Sequence, residues 1–222
     1  MDGPGALYSA ARSASHEALN FSTPRSMDRV NEEIINYELI EDLLLLLLVQ
    51  PEKNEVLLPP EGASFSDGHV LVFLPGFGEI QSLTQLLRGS RSLGNRERFD
   101  IIPMHSTLSP QDQRRAFLKP KTGCRKIILA TNIAETSVTI PGVVAVVDTG
   151  RVREVRVDKR TSTSKLVTDW CSRASAKQRA GRAGRIQPGI CLKLYSSRTS
   201  SVTMNEAAQP GMSELPVYCH CN

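Results

Sequence analysis

The segment Gln178–Arg185, QRAGRAGR, gathers one amide and three guanidinium groups within eight residues and interleaves them with glycines. Read as a helix at about 100° per residue, it brings Gln178, Arg182 and Arg185 within about 60° of one another, while Arg179 points elsewhere. Gly181 and Gly184 would each cost such a helix about 1 kcal/mol relative to alanine, a penalty that makes sense where a ligand approaches the backbone. Two converging guanidiniums suit a phosphate group, which they grip through paired hydrogen bonds. A solvated basic helix has the same spacing.

A second segment, Ala130–Val143 (ATNIAETSVTIPGV), begins where the apolar run KIILAT ends. The carboxyl end of a strand is where open α/β sheets bind ligands, and this segment sets Thr131, Asn132, Thr136, Ser137 and Thr139 there. Their hydroxyls and amide can hydrogen-bond phosphate or sugar oxygens without adding charge. The same residue types also form turns and caps.

Groups of this kind need a scaffold, and the rest of the chain supplies its pattern. HVLVFLP (69–75), DIIPMH (100–105), KIILAT (126–131), VVAVVD (143–148) and GICLKLY (189–195) read as buried strands. GFGEIQSLTQLLRG (76–89) reads as a helix, and a second begins at Ser109, with Pro110 in its first position and Asp112 three residues after the cap. Strands separated by helices require crossover connections, so the predicted class is α/β, with a mostly parallel sheet flanked by helices. RVREVRVDKR (151–160) alternates with period two and suits a strand or a projecting β-hairpin. From Asn31, an asparagine cap and two acids precede apolar residues at Ile34, Ile35, Leu39, Leu43 and Leu46, which predicts a helix ending before Pro51. The expected organisation is a flexible lead-in (1–30), an acidic helix and loop (31–68), an α/β lobe (69–198) and an irregular, truncated tail (199–222), frayed in its last part.

In combination these strings are far more specific. VLVFLPGFGEI, PMHS, ATNIAETSVTI, VVDTG and QRAGRAGR, in this order over residues 70–185, resemble the second RecA-like lobe of DEAH/DExH-box RNA helicases. The resemblance covers about half the chain. VLVFLPGFGEI matches the family's motif IV, Thr131–Ile140 its motif V, and Gln178–Arg185 its motif VI. It implies that Gln178 helps position the attacking water and that Arg182 and Arg185 grip the ATP phosphates as arginine fingers. It also implies that Phe117, in the helix after PMHS, stacks on adenine, that Ser137 senses the nucleotide state, and that Thr131, Asn132 and Thr139 contact single-stranded RNA. Residues 151–165 fall where the family carries a strand-parting hairpin.

Two departures from the family pattern matter. Many members follow the motif V Thr-Ile with an aspartate that hydrogen-bonds the ribose; here the position is Pro141, which has neither a side-chain acceptor nor a backbone donor. The 222 residues also contain no GxxxxGK[ST] and no DEAH-like tetrad. The resemblance therefore implies ATP with Mg²⁺, the ion being held by the family's first lobe, and a chain that is inactive alone. That first lobe, the family's C-terminal domains and RNA are the implied partners. The rival reading is a catalytically silent RNA- or protein-binding module derived from a helicase.

Composition limits the remaining classes. The chain is 40% hydrophobic and 23% charged, which is enough apolar material for a core. Its densest apolar run, Leu43–Val49, is far shorter than the roughly 20 residues needed to cross a bilayer. MDGPGALYSA lacks the features of a secretory signal, so five reduced cysteines and a cytoplasmic or nuclear location, with the cytoplasm favoured, are expected. Residues 1–68 hold 4 Lys/Arg against 12 Asp/Glu and residues 69–222 hold 23 against 11, an asymmetry that points to a polyanionic partner for the second part. Cys219, His220 and Cys221 lack a second ligand pair at zinc spacing, so no metal site is expected. His105 is expected to bond the backbone, Trp170 to anchor packing, and Asp148 either to cap a turn or to couple sites. Arg151, Arg153 and Arg156 suit either phosphate contacts or a solvated hairpin face.

Overall fold

The strands are parallel and central because both their faces are covered: every residue of β1 (His69–Phe73) and β4 (Val143–Asp148) is buried. The structure is a computed structural model that describes residues 31–50, 68–136, 140–158, 163–183, 185 and 188–207. With β2 (Phe99–Met104), β3 (Arg125–Ala130) and β7 (Ile190–Lys193), these strands form a five-stranded sheet of order β2-β3-β1-β4-β7. Every pairing in it is parallel. Side chains alternate across it. Val70, Val72, Ile127 and Leu129 face one apolar cluster, and Leu71, Phe73, Ile128 and Ala130 face the other.

Helix α1 (Tyr37–Leu48) and helix α2 (Phe77–Gly89) cover the first face, burying Leu39, Ile40, Leu43, Leu44, Ile80, Leu83 and Leu87 there. Helix α1 starts later than its sequence pattern suggests. Asn36, not Asn31, is the cap: its side-chain oxygen accepts from the Leu39 amide at 3.0 Å. Asn31 instead closes a turn by accepting from Glu33 N at 2.9 Å, and Ile34 is left 64% exposed. The reason is tertiary. Glu32 accepts hydrogen bonds from Ser196 N (3.0 Å) and Thr199 Oγ1 (2.6 Å), and Glu33 O accepts from Arg151 Nη2 (3.2 Å), so this stretch is pulled into extended contacts.

The other face carries α4 (Ile133–Thr136), through Ala134, and the turns that follow α3 (Pro110–Arg114) and α5 (Arg173–Ala180), through Ala116 and Ala183. Ser109 caps α3 as its sequence predicts, accepting from Asp112 N at 3.2 Å. Strands β5 (Arg151–Asp158) and β6 (Thr163–Trp170) pair antiparallel as a separate two-stranded ribbon, with Val155 and Leu166 exposed opposite one another. Gly150 makes the sharp entry into β5 at φ 71°, where a Cβ would lie 2.6 Å from the Tyr195 ring. Residues 196–207 form a π-helical turn (Thr199–Thr203) followed by buried Met204, packed with Tyr195 and Cys171, and the last part of the tail lies outside the described residues. Among the described residues no helix is long and apolar enough to cross a membrane.

Candidate functional site

Five parallel strands deliver their carboxyl ends to one edge of the sheet, and the hydroxyl-rich segment emerges there from β3. The Thr131 amide donates to Met104 O at 3.1 Å, continuing the β2–β3 ladder by one residue. The chain then turns into α4 through Ala134 N to Thr131 O (3.2 Å) and Glu135 N to Asn132 O (2.9 Å). Thr131 is half-buried and Asn132 exposed, both at the edge where the residue pattern predicts them. Ser137, Thr139 and Gly184 lie outside the described residues.

Helix α5 carries Gln178 on an exposed position and then stops. Its cap is Gly181, whose amide donates to Lys177 O at 3.0 Å, followed by turn bonds from Arg182 N to Arg179 O and from Ala183 N to Ala180 O. Arg182 and Arg185 therefore do not lie on the helix with Gln178, and the expected single helical face does not exist. Ala183, 2% exposed, enters the second apolar cluster and forces this turn, so Arg182 is directed by the turn and not by the helical repeat. Arg182 and Arg185 still lie only three residues apart, just past the end of α5. Burial lowers the Arg182 pKa first, the positive charge of Arg185 lowers it further, and Glu135 opposes both. Arg182 is 7% exposed, whereas Arg185 is exposed. A Cβ on Gly181 would meet nothing closer than 3.5 Å, so internal packing does not demand glycine there.

The residue that organises the site is Arg179, which the sequence pattern leaves pointing elsewhere. It is fully buried; its Nε donates to Glu135 Oε1 at 2.7 Å and its Nη1 to Asp148 Oδ1 at 2.8 Å and to Arg151 O at 3.3 Å. Its guanidinium lies 5.0 Å from the centroid of the Phe73 ring. Burial opposes the charge, but Asp148, buried Cys171 and Glu135 outweigh it and raise the pKa above the ordinary arginine value. Asp148 also accepts from Tyr195 OH (3.1 Å) and Gly150 N (2.9 Å), and Glu135 from Ser175 Oγ. Asp148 thus caps the turn into β5 and also joins four segments. The sequence signal that could have revealed this is the pair of acids, one ending the apolar run VVAVVD and one just past KIILAT. Buried carboxylates at strand ends need a buried cation.

Phe117 lies in the turn after α3, not in the helix, which ends at Arg114. It is half-buried against the second cluster. Lys126, 2% exposed within β3, donates from Nζ to Arg115 O (3.1 Å), Ala116 O (3.0 Å) and Leu118 O, clamping the carbonyls on both sides of Phe117. A lysine inside an apolar strand run gave no clue to this clamp. His105 Nδ1 is hydrogen-bonded to Thr107 Oγ1 at 2.7 Å and its ring packs 4.8 Å from the Phe77 ring, so among the described residues its side-chain partner is a hydroxyl and not the backbone. The hairpin arginines are already engaged: Arg151 stacks 4.2 Å over Trp170 and Arg153 pairs with Glu79 at 2.7 Å, while Arg156 pairs with Asp169 on the exposed, solvated face of the ribbon. Trp170 is a packing anchor, edge-on to Tyr195 at 6.0 Å.

The donor set fits a phosphate and not a divalent cation. Gln178, Arg182 and Arg185 offer N–H donors, while the nearby carboxylates Glu135 and Asp148 are both occupied by Arg179. Magnesium would need carboxylates from another part of the assembly. Cys124, Cys171 and Cys191 are free thiols, and burial pushes Cys171 and Cys191 up to about 12.

With this geometry in hand, comparison with known proteins is direct. Residues 53–187 match the family described as "Helicase conserved C-terminal domain". The chain is 40% identical over 98% of its length to the ATP-dependent RNA helicase dhx29 of Xenopus laevis, and 46% identical over 75% to DHX29 of Mus musculus. It is 40% identical over 88% to the DExH-box ATP-dependent RNA helicase DExH6 of Arabidopsis thaliana. It spans only 14%, 11% and 14% of those relatives. The crystal structure of the E. coli DExH-box NTPase HrpB superposes with a TM-score of 0.57 at 42% identity, covering 65% of this chain and 17% of that one. The strand order, the edge carrying motif V and the turn carrying motif VI thus have one family explanation: the chain belongs to the helicase conserved C-terminal domain family, as the second RecA-like lobe of the DEAH/DExH-box type.

Proposed function

We propose that the chain acts as the second motor lobe of an ATP-dependent RNA helicase. Arg182 and Arg185 hold the triphosphate as arginine fingers, Gln178 positions the attacking water, Phe117 stacks on adenine and Ser137 reports the nucleotide state. Thr131, Asn132 and Thr139 contact the backbone of single-stranded RNA. The observation that carries this reading is the placement of two guanidiniums, Arg182 at 7% exposure and exposed Arg185, just past the Gly181 cap of the helix that carries exposed Gln178. The oxygens of a triphosphate match such guanidinium forks.

Arg179 supplies the physical link between the nucleotide and RNA ends. It ties the helix preceding Arg182 to Glu135, four residues beyond Thr131, and to the base of the hairpin at Arg151. A displacement of the motif VI turn on cleft closure is therefore transmitted to motif V, and hydrolysis of ATP to ADP and phosphate releases it. Magnesium bound with the nucleotide would supply neutralisation of phosphate charge, and Glu135 and Asp148, both tied to Arg179, are not open to hold it.

The test is RNA-stimulated ATP turnover by a longer chain that joins a P-loop lobe upstream of residues 1–222. Arg182→Ala and Arg185→Ala are each expected to lower kcat by about 10³-fold or more while RNA affinity is kept, since arginine fingers contribute about 10³–10⁵. Turnover equal to the parent would remove the arginine-finger assignment. RNA-stimulated turnover by the 222 residues alone would show that no companion lobe is needed. RNA binding without turnover in the longer chain would favour the silent module.

A further inference from the structure

The open edge of the sheet carries a second concentration of positive charge, away from the motifs. Residues 88–115 contain six arginines and no lysine, against three acids. Three of these arginines, Arg88 at the end of α2, Arg96 in the following loop and Arg115 just after α3, line a cavity of about 280 Å³ with Gly94, Phe99, Asp100 and Ile101. Arg115 is held by Asp100 at 3.2 Å, whereas Arg88 and Arg96 form no ion pair among the described residues. Three guanidiniums against one carboxylate leave two positive charges facing the cavity.

The walls are built, not loose. Leu93 is fully buried and anchors the loop; Gly94 N donates to Ser90 O at 2.9 Å. A Cβ on Gly94 would lie 2.5 Å from the carbonyl oxygens of both Arg88 and Ser90, so only glycine closes this turn. Asn95 accepts from Glu97 N (2.9 Å) through its side chain, and from Arg98 N (3.2 Å) and Phe99 N (2.9 Å) through its carbonyl. The loop therefore presents Arg96 across from Arg88 with little ordering left to lose on binding.

The lining also selects among polyanions. Phe99 and Ile101 are 3% and 7% exposed, so the floor has no apolar surface to bury a peptide anchor, which protein interfaces require. Nor is the edge strand a template for strand addition: Pro103 has no N–H and the Phe99 N–H is used by Asn95. What is left is charge in fork geometry, with Arg91, Arg98 and Arg114 exposed nearby to follow a repeating anion. Six residues of β2, at about 3.3 Å each, set the cavity at the amino end of the strand roughly 17–20 Å from the carboxyl edge.

We propose that this cavity is a second phosphate-binding site, which takes the sugar-phosphate backbone of an RNA strand outside the motif V and motif VI edge. Arg88 and Arg96 grip the phosphate and Arg115, fixed by Asp100, closes the third side. The site is independent of the motif V contacts and holds RNA whether or not those contacts exist.

The experiment measures anisotropy of a fluorescein-labelled oligouridine with the 222-residue chain over a potassium chloride series. Arg88→Gln/Arg96→Gln is expected to weaken binding about tenfold at low salt and to flatten the log K against log[salt] slope by about 1.4, at about 0.7 per single-strand phosphate contact. Its melting temperature should match the parent, since both side chains are exposed. A charge-matched control, Arg173→Gln/Arg198→Gln, should bind like the parent. Unchanged affinity and slope in the first variant overturn the proposal, as does an equal loss in the control, which would reduce the effect to net charge. Loss of a phosphoserine peptide with RNA binding intact also overturns it, in favour of a protein ligand. Thr131→Val/Asn132→Ala, measured in parallel, probes the other RNA contacts, so the two readings fail separately.

Discussion

Replacing Arg179 by methionine preserves most of the volume over Phe73 and removes the charge that ion-pairs both Glu135 and Asp148. Those carboxylates are 9% and 0% exposed, so neither can turn to water. Removing one partner of a buried pair costs about 3–5 kcal/mol, because the other charge is left uncompensated. That is a large part of the roughly 5–15 kcal/mol that holds a domain together. At about 2–4 °C per kcal/mol for a chain of this size, the melting temperature should fall by about 6–20 °C. Trp170 is the single tryptophan and stacks under Arg151, whose carbonyl accepts from Arg179, so its fluorescence reports on the same locus; circular dichroism gives the global transition. Arg179→Lys should fall between the two, since one ammonium cannot span both carboxylates as a fork does. A double-mutant cycle of Arg179→Met with Asp148→Asn should show coupling of about 1 kcal/mol or more. Strictly additive losses, or an Arg179→Met melting point equal to that of exposed Arg185→Ala, would refute the assignment of Arg179 as the buried hub.

Burial, with Lys126 and Arg125 alongside, pushes His69 down to about 4 from about 6.5 when unfolded. The unfolded chain therefore binds the extra proton first: this contribution to stability is complete above about pH 6.5 and is lost as pH falls toward 4, amounting to about 3 kcal/mol. His69→Gln should flatten the melting temperature against pH across that window, and an unaltered profile would contradict the origin given. Lys126→Met should release the three carbonyls around Phe117, costing about 1–3 kcal/mol. Limited trypsin digestion read by mass spectrometry should then cut faster at Arg114 and Arg115; an unchanged cleavage rate would mean that the clamp is not what orders the turn.

The elements were legible wherever a local rule governed them. Five apolar runs became strands because fully buried parallel strands need no polar alternation, and Ser109-Pro110 with Asp112 marked α3 through a cap that involves only neighbours in sequence. The site was legible as chemistry and not as geometry. Glutamine and arginines at motif spacing pointed to a phosphate, but a uniform helical repeat was carried past Gly181, where packing of Ala183 ends the helix. Asn31 failed as a cap for a related reason: Glu32 and Glu33 are drawn away by Ser196, Thr199 and Arg151, more than a hundred residues distant. The tail from Ser196 reads as polar and irregular, yet Met204 and the Glu32 contacts order its described part, residues 196–207.

By itself the amino-acid order determined the α/β class, the strand runs, the family and the presence of residue types suited to a phosphate, because each depends on composition or on spacing within a few residues. Only the folded arrangement decided that Arg179 faces inward while Arg182 and Arg185 remain at the edge, that Lys126 clamps the turn holding Phe117, and that the hairpin arginines are already paired. The physical reason is that a buried charge takes its role from the countercharge brought to it, and Glu135, Asp148 and Arg179 are joined by the sheet and not by the sequence between them.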